Sequence, residues 1–300
     1  MPAPRPVYPR SSVFNTRSCT QGMYLLRPDP EMSNAVLYEA GYAAMTTGVE
    51  LIMLMQMPNH IHDGVEDEHA NVPKYNETFH KMVAKVGNRI RGREQNFFDD
   101  EQTSMVRLEE TEDLTRKIVY MALNPVRAGL IERVKDWPGA SGYVALITGT
   151  PLRATRPAKF HGKKSKMPAE IFVPFRIPAR YGDPKPIIDE IVRRVTAFED
   201  EEIARRTASG MSVMSRHKLL RQSPFESPTK SKKKTRIKPT IAAINDETRF
   251  EAIQRLRDFR RAYREALAAY RAGKPIPFPP GTYWLVRHLG VAVESAEKIG

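Results

Sequence analysis

Two metal-binding side chains stand two residues apart in the stretch Met57-Pro58-Asn59-His60-Ile61-His62. The apolar run before it, Leu51-Ile52-Met53-Leu54-Met55, reads as a buried strand. Side chains alternate across a strand, so His60 and His62 share one face and Ile61 takes the other. Two imidazoles so placed can hold one metal ion. Further along, Tyr120 and Asn124 are four apart in a helical pattern that Pro125 must end, so they share a helix face. That face laid over the histidine strand would gather two imidazole nitrogens, an amide oxygen and a phenol. Positions left open on the ion would suit phosphate oxygens, and the donor set suits Mg2+ or Mn2+. A metal-bound phosphodiester is an electrophile that a tyrosine can attack. A free phenol titrates near about 10, so proximity and the cation would have to activate it.

The elements needed to position these groups can be read in order. Ser12 to Arg17 begins a strand, and Met23 to Leu26 is expected to close the same segment. Pro28-Asp29-Pro30 makes a turn and an N-cap for an amphipathic helix over 31–46, and the apolar strand 49–57 follows. Asp63 to Glu68 is acidic and reads as a loop. Asn76 is expected to cap a helix over 77–91, with a short strand over Ser104 to Leu108 and a helix opening at Thr111. Strand, helix, strand, helix, strand, helix suits a ferredoxin-like α+β layer: an antiparallel sheet with helices on one face, the other face left open for a ligand.

Composition separates the two halves of the 300-residue chain. Net charge is +13, but residues 1–150 hold 16 basic and 19 acidic side chains, whereas residues 151–300 hold 32 and 16. The basic half should attract a polyanion, most plausibly nucleic acid. Residues 149–183 read as a basic linker. A basic, mainly helical extension follows over 184–300: a helix over 184–208, a Lys-rich segment at 223–240 expected to be disordered, and a long helix capped by Asn245. The apolar stripe of that last helix, Phe250 to Tyr270, has helical period and reads as core, packed by Tyr283 and Trp284. The remaining histidines, including His80 and His161, lack partner spacing and read as solvated or core-edge residues. The one cysteine, Cys19, excludes an intramolecular disulfide and fits a reducing cytoplasm. No apolar run approaches membrane-spanning length and no signal peptide is visible, so no membrane partner is expected.

The combination of Met57-Pro58-Asn59-His60-Ile61-His62 with Tyr120-x-x-x-Asn124-Pro125-Val126-Arg127-Ala128-Gly129-Leu130 and Asp136-Trp137-Pro138 resembles the single-tyrosine HUH transposases, closest to the REP-associated tyrosine transposases of bacteria. The match in order and spacing covers roughly residues 10–145, within a domain read as 10–148. The resemblance implies a ferredoxin-like catalytic domain there, and a divalent metal, Mg2+ or Mn2+, on His60 and His62, with Asn124 as third ligand. It implies that Tyr120 attacks single-stranded or hairpin DNA, leaving a 5′-phosphotyrosine and a free 3′-OH, in DNA transposition or on repetitive palindromic elements. It also implies a bacterial, cytoplasmic, nucleoid-associated enzyme, monomer or homodimer. Arg17, Arg127, Lys163, Lys164, Lys232, Lys233, Lys234 and Arg236 are the candidate DNA contacts; the lysine runs read either as phosphate-tracking arms or as solvated linkers. One departure stands out: relatives continue apolar after the second histidine, whereas this chain runs Asp63-Gly64-Val65-Glu66-Asp67. A carboxylate on the buried face beside Ile61 is costly. The strand is therefore expected to end at His62, unless Asp63 turns toward the site. The competing readings are a domesticated DNA-binding protein with weak or lost catalysis and a metal-dependent phosphodiesterase that uses water.

Overall fold

The computed structural model describes residues 4–162, 164–229, 240–274 and 276–294. In chain order the elements are β1 (Ser11–Ser18), α1 (Pro30–Thr47), β2 (Glu50–Met57), β3 (His60–Asp67), α2 (Val72–Arg91), β4 (Ser104–Leu108), α3 (Thr111–Ala122), α4 (Asn124–Arg127) and α5 (Tyr143–Thr148). Then come β5 (Leu152–Thr155), β6 (Glu170–Val173), α6 (Pro184–Ala208), α7 (Arg216–Arg221), β7 (Ile241–Ala242), α8 (Asp246–Arg271) and α9 (Trp284–Leu289). The fold is α+β. Its main sheet has strand order β2-β3-β1-β4-β7, antiparallel throughout except for the parallel pairing of β7 with β4.

The histidine stretch opens a new strand instead of extending the apolar one. Met57 pairs with His60, so Pro58-Asn59 is a two-residue turn and β2 and β3 form a hairpin. β3 does not end at His62. It runs to Asp67, pairing with β1 along its whole length from Ser18↔His60 to Ser11↔Asp67. The acidic stretch expected to be a loop is thus strand, and its polar groups are accommodated one by one. Asp63 accepts from Asn15 Nδ2 at 2.8 Å and lies beside the Tyr75 hydroxyl. Glu66 accepts from the Ser12 hydroxyl and pairs with Arg180 at 3.1 Å. Asp67 accepts from the backbone amides of His69, Asn71 and Val72 at 3.2, 2.8 and 2.7 Å. That carboxylate satisfies the orphan donors at the start of α2, which is why the helix begins at Val72 and not after Asn76. Asn76 instead lies inside the helix and donates to Asn15 Oδ1 at 3.2 Å. Gly64 is required by a close approach: a Cβ there would sit 2.6 Å from the Phe14 ring lying across it.

Alternation along β3 gives the sheet two distinct faces. Ile61, Asp63 and Val65 face α2, which contributes Tyr75 and Asn76, and α1 packs against α2. His60, His62, Gly64 and Glu66 face the other way, and this face is not bare. α3 lies over its histidine end, and the turn at Arg180-Tyr181 covers its far end. Met23 to Leu26 is not strand; Leu25 and Leu26 are buried in a turn, and Leu26 N donates to Pro58 O at 2.9 Å.

The second half is ordered against the first. Within the stretch read as a linker, β5 and β6 form a hairpin packed on α1. His161 there is buried and its Nε2 meets the buried Glu39 carboxylate at 2.8 Å, a partner that sequence spacing did not reveal. α6 begins and ends as its pattern predicts, with Asp183 capping Lys185 N, and buries Ile187, Ile191 and Val195. One hydrophobic cluster runs from Val13 to Leu219. Residues 4–10 drape over α8 and α9: Val7 N donates to Gly281 O at 3.0 Å. α8 is capped by Asn245, as expected, yet its stripe is only partly core. Phe259 is buried, whereas Phe250 is 62% exposed and Ile253 and Tyr270 also face solvent. Trp284 does not pack that stripe either; it is 59% exposed and lies against His288.

Candidate active site

The hairpin turn fixes the histidines from behind. Asn59 Nδ2 donates to Gly22 O at 3.2 Å, which turns its Oδ1 toward His60 Nδ1 at 2.8 Å. A carboxamide oxygen only accepts, so His60 Nδ1 carries the proton and Nε2 the lone pair. On the neighbouring strand, Thr16 pairs with His62, and Thr16 Oγ1 lies 2.8 Å from His62 Nδ1. The hydroxyl can donate or accept there, and in either role it holds the His62 ring at Nδ1. The two rings stand nearly perpendicular, centroids 4.6 Å apart, with His62 buried and His60 half-buried. Each imidazole is held at Nδ1 by the kind of backing hydrogen bond that orients metal-binding histidines, and Nε2 is the nitrogen through which it would ligate a cation.

α3 brings the phenol to the same face. Its start is set by a capping box between Glu110 and Asp113. It ends at Ala122, two residues before Asn124, and the separate turn α4 carries Pro125 at its start. The inward stripe Leu114, Ile118 and Ala122 is buried, and Tyr120 points off it, 43% exposed. The Tyr120 ring meets the His62 ring edge-on, centroids 5.9 Å apart. Phenol and imidazoles thus meet within one chain. Asn124 Nδ2 donates to the Tyr120 carbonyl at 3.0 Å, which leaves Oδ1 as its acceptor.

Two cations flank the phenol. Lys117 Nζ lies 5.8 Å from the Tyr120 ring centroid and Arg127 Cζ lies 5.2 Å from it. Arg127 Cζ also lies over the ring of Phe198 of α6, 4.9 Å from its centroid. Burial pulls the Lys117 ammonium below its usual range, against a smaller opposing pull from Asp113. Neither Lys117 nor Phe198 stood out in the sequence. Lys117 had a usable signal, three residues before Tyr120 on one helix face, and Asn59 was inside the motif; Thr16 and Phe198 had none.

Other candidate residues fall elsewhere. Asp63 does not approach the site; it points to the opposite face, into the Asn15, Tyr75 and Asn76 cluster, where burial pushes its carboxyl up to about 7. Arg17 is also on that opposite face, donating to the Asp99 carbonyl at 2.7 Å and to Glu101 O, over the Phe98 ring. It closes the 99–101 loop. Lys164 is exposed beyond the β5–β6 hairpin. Lys163, Lys232, Lys233, Lys234 and Arg236 lie outside the described residues.

Two imidazoles each held by a hydrogen bond at Nδ1 fit a divalent cation that completes its shell with oxygen. Among the described residues no group of three or more His, Cys, Asp or Glu could hold a metal ion. Among the described residues no helix is long and apolar enough to cross a membrane.

No protein-family model matches the chain and no curated protein does. Among solved structures, a REP-associated tyrosine transposase bound to a REP hairpin is similar over 56% of this chain and 96% of its own, at 16% sequence identity and a TM-score of 0.42.

Proposed function

We propose that the chain is a DNA nicking and rejoining enzyme of the single-tyrosine HUH kind, a transposase-type strand transferase acting on single-stranded or hairpin DNA. The observation that carries this reading is the contact of the Tyr120 ring with His62, whose neighbour His60 shares its sheet face. An exposed tyrosine beside two imidazoles that share one sheet face is an arrangement for phosphoryl transfer. The element order βαββαβ and the strand order β2-β3-β1-β4 support reading the first half as a ferredoxin-like layer.

In the proposed step, Tyr120 Oη forms a bond to phosphorus while the bond from phosphorus to the 3′ oxygen breaks. The phenol proton leaves to solvent, and the departing 3′ oxygen takes one up. The products are a 5′-phosphotyrosine and a 3′-OH, and the reverse attack by a 3′-OH rejoins the strand without an energy source. His60 and His62, with Asn124 as third candidate, would hold Mg2+ or Mn2+, which when bound neutralises charge on the phosphate. Arg127 and Lys117 place positive charge around the phenol, where an incoming phosphodiester and a phenolate both need it. Incubating the full chain with hairpin DNA and Mn2+ tests the reading: a covalent adduct that Tyr120→Phe abolishes is expected, and its absence across candidate hairpins would overturn it.

One observation favours a second reading, a DNA-binding protein of the same fold with weak catalysis. Asn124 sits on the separate turn α4, beyond the end of the Tyr120 helix, and a site left with two imidazoles from the protein has fewer ligands to hold a cation. That reading predicts DNA binding with no effect of Tyr120→Phe on any measured property.

A further inference from the structure

The tyrosine and the histidines sit on different elements, and a third piece of chain touches both. After α6 the backbone turns at Gly210, and Met214 N donates to Gly129 O at 2.8 Å, just beyond the Asn124 turn. α7 follows. Ser215 Oγ caps it on Lys218 N, and Leu219 is fully buried beneath it. The chain then runs along the loop before α1. Arg27 Nη1 donates to Gln222 O, Tyr24 N to Glu226 O and Ser227 Oγ to Gln21 O, each at 2.9 Å. That loop rests on the histidine hairpin through Leu26 N to Pro58 O at 2.9 Å and Asn59 Nδ2 to Gly22 O at 3.2 Å. Residues 209–229 are therefore a strap running from the tyrosine segment to the histidine hairpin. Ser223 to Thr229, expected to be disordered, belong to it; residues 230–239 lie outside the described residues.

The charge on this strap has a distinct character. Glu226 is the only carboxylate in 209–229, against Arg216, Lys218 and Arg221, all exposed. Arginines on neighbouring α6 are paired: Arg193 with Glu190, Arg194 with Glu112 and Glu190, Arg205 with Glu202. Among the described residues no carboxylate pairs with Arg216, Lys218 or Arg221. This exposed charge sits on a segment joined through Met214 N to Gly129 O, two residues past Arg127.

We propose that residues 209–229 form a cationic strap whose helix α7 tracks the phosphate backbone of single-stranded DNA leading to the Tyr120 face, with Arg216, Lys218 and Arg221 as its contacts. The proposal rests on the strand-transfer reading for its choice of partner. Neutralising phosphates releases counterions, so removing three contacts flattens the salt dependence of binding in a countable way.

The test uses the full chain carrying Arg216→Gln, Lys218→Gln and Arg221→Gln together. The comparison is a second triple on α8, Arg257→Gln, Arg264→Gln and Arg271→Gln, which are equally exposed. Binding to a fluorescent single-stranded hairpin DNA is followed between about 50 and 200 mM salt. The strap triple should bind at least about tenfold more weakly, with a log–log salt slope shallower by about 2, and the α8 triple should change neither. An unchanged slope in the strap triple, or an equal loss in both triples, overturns the proposal. Tighter binding to the RNA of the same sequence overturns DNA as the occupant. The two readings fail separately: an adduct on Tyr120 with an unchanged slope removes only the strap, and a flattened slope with no adduct removes only the enzyme.

Discussion

Thr16 Oγ1 lies 2.8 Å from His62 Nδ1 across the β1–β3 ladder. The hydroxyl orients the His62 ring through Nδ1, as Asn59 Oδ1 orients His60. Each imidazole is thus oriented by a residue on the same hairpin or the adjacent strand, before any cation arrives. Losing such a backing hydrogen bond costs about 10- to 100-fold in metal affinity. Thr16→Val should therefore raise the Mn2+ midpoint of a thermal-shift titration by that factor, while Thr16→Ser stays near wild type. An unchanged midpoint in the valine variant would show that Thr16 only fills space.

The Arg127 guanidinium lies over two rings, Tyr120 at 5.2 Å and Phe198 at 4.9 Å. A planar guanidinium stacks where an ammonium does not, so Arg127→Lys should not replace it. Phe198→Ala removes the outer ring without touching the phenol. Both variants should slow adduct formation about tenfold or more and shift hairpin affinity much less. Single-turnover kinetics beside equilibrium binding separate the two effects; equal losses in both would assign Arg127 to DNA binding alone.

Asp63 is buried with its carboxyl pushed up to about 7 by burial, against an ordinary value of 3.8. Its folded pKa lies above the unfolded one, so stability is highest below the unfolded value and is lost as pH rises through 7. Asp63→Asn keeps an acceptor for Asn15 and removes the buried charge. It should stabilise the chain at pH about 8 by roughly 1–3 kcal/mol in urea unfolding, with the gap closing toward acid. The Mn2+ midpoint should not move, because Asp63 faces away from the histidines. A shifted midpoint would mean the carboxylate reaches the cation after all.

His80 works in the opposite direction. Burial among Phe79 and Phe98, with Arg17 adding a smaller push, lowers its imidazole to about 3. An unfolded histidine takes its proton near about 6.5, so the stability His80 contributes is present above that value and is lost as pH falls toward 3. His80→Gln should flatten the acid slope of stability between pH about 6 and 4 by up to about 1.4 kcal/mol per pH unit. Asp63 titrates alike in both proteins and cancels in the difference. Parallel slopes would contradict a buried neutral His80.

The sequence carried those parts of the structure that local pattern controls. α6 starts at 184 as read from its pattern, and α8 starts at its predicted cap, Asn245, because an N-cap is a local hydrogen bond. His60 and His62 share a face because a strand alternates. What local pattern cannot show is which distant residue meets a polar group. Asp63 looked too costly for a strand until Asn15, 48 residues away, supplied a donor. Asp67 displaced Asn76 from the expected cap in the same way. The stripe on α8 had the right period and still left Phe250 in solvent, since period says which residues share a face and not whether anything covers it. Contacts such as Ser227 to Gln21, 206 residues apart, have no sequence signal at all.

The central claim is that Tyr120 is a nucleophile toward DNA, and the linkage it forms is directly measurable. The full chain is incubated with end-labelled single-stranded hairpin DNA and Mn2+, denatured and digested, and the DNA-linked peptide is identified by mass spectrometry. The account predicts a 5′-phosphate ester on Tyr120, a second fragment ending in 3′-OH, and no adduct from Tyr120→Phe, whose hairpin affinity stays within about twofold. Cleavage that leaves both DNA ends free, or an adduct on any other residue, would contradict it.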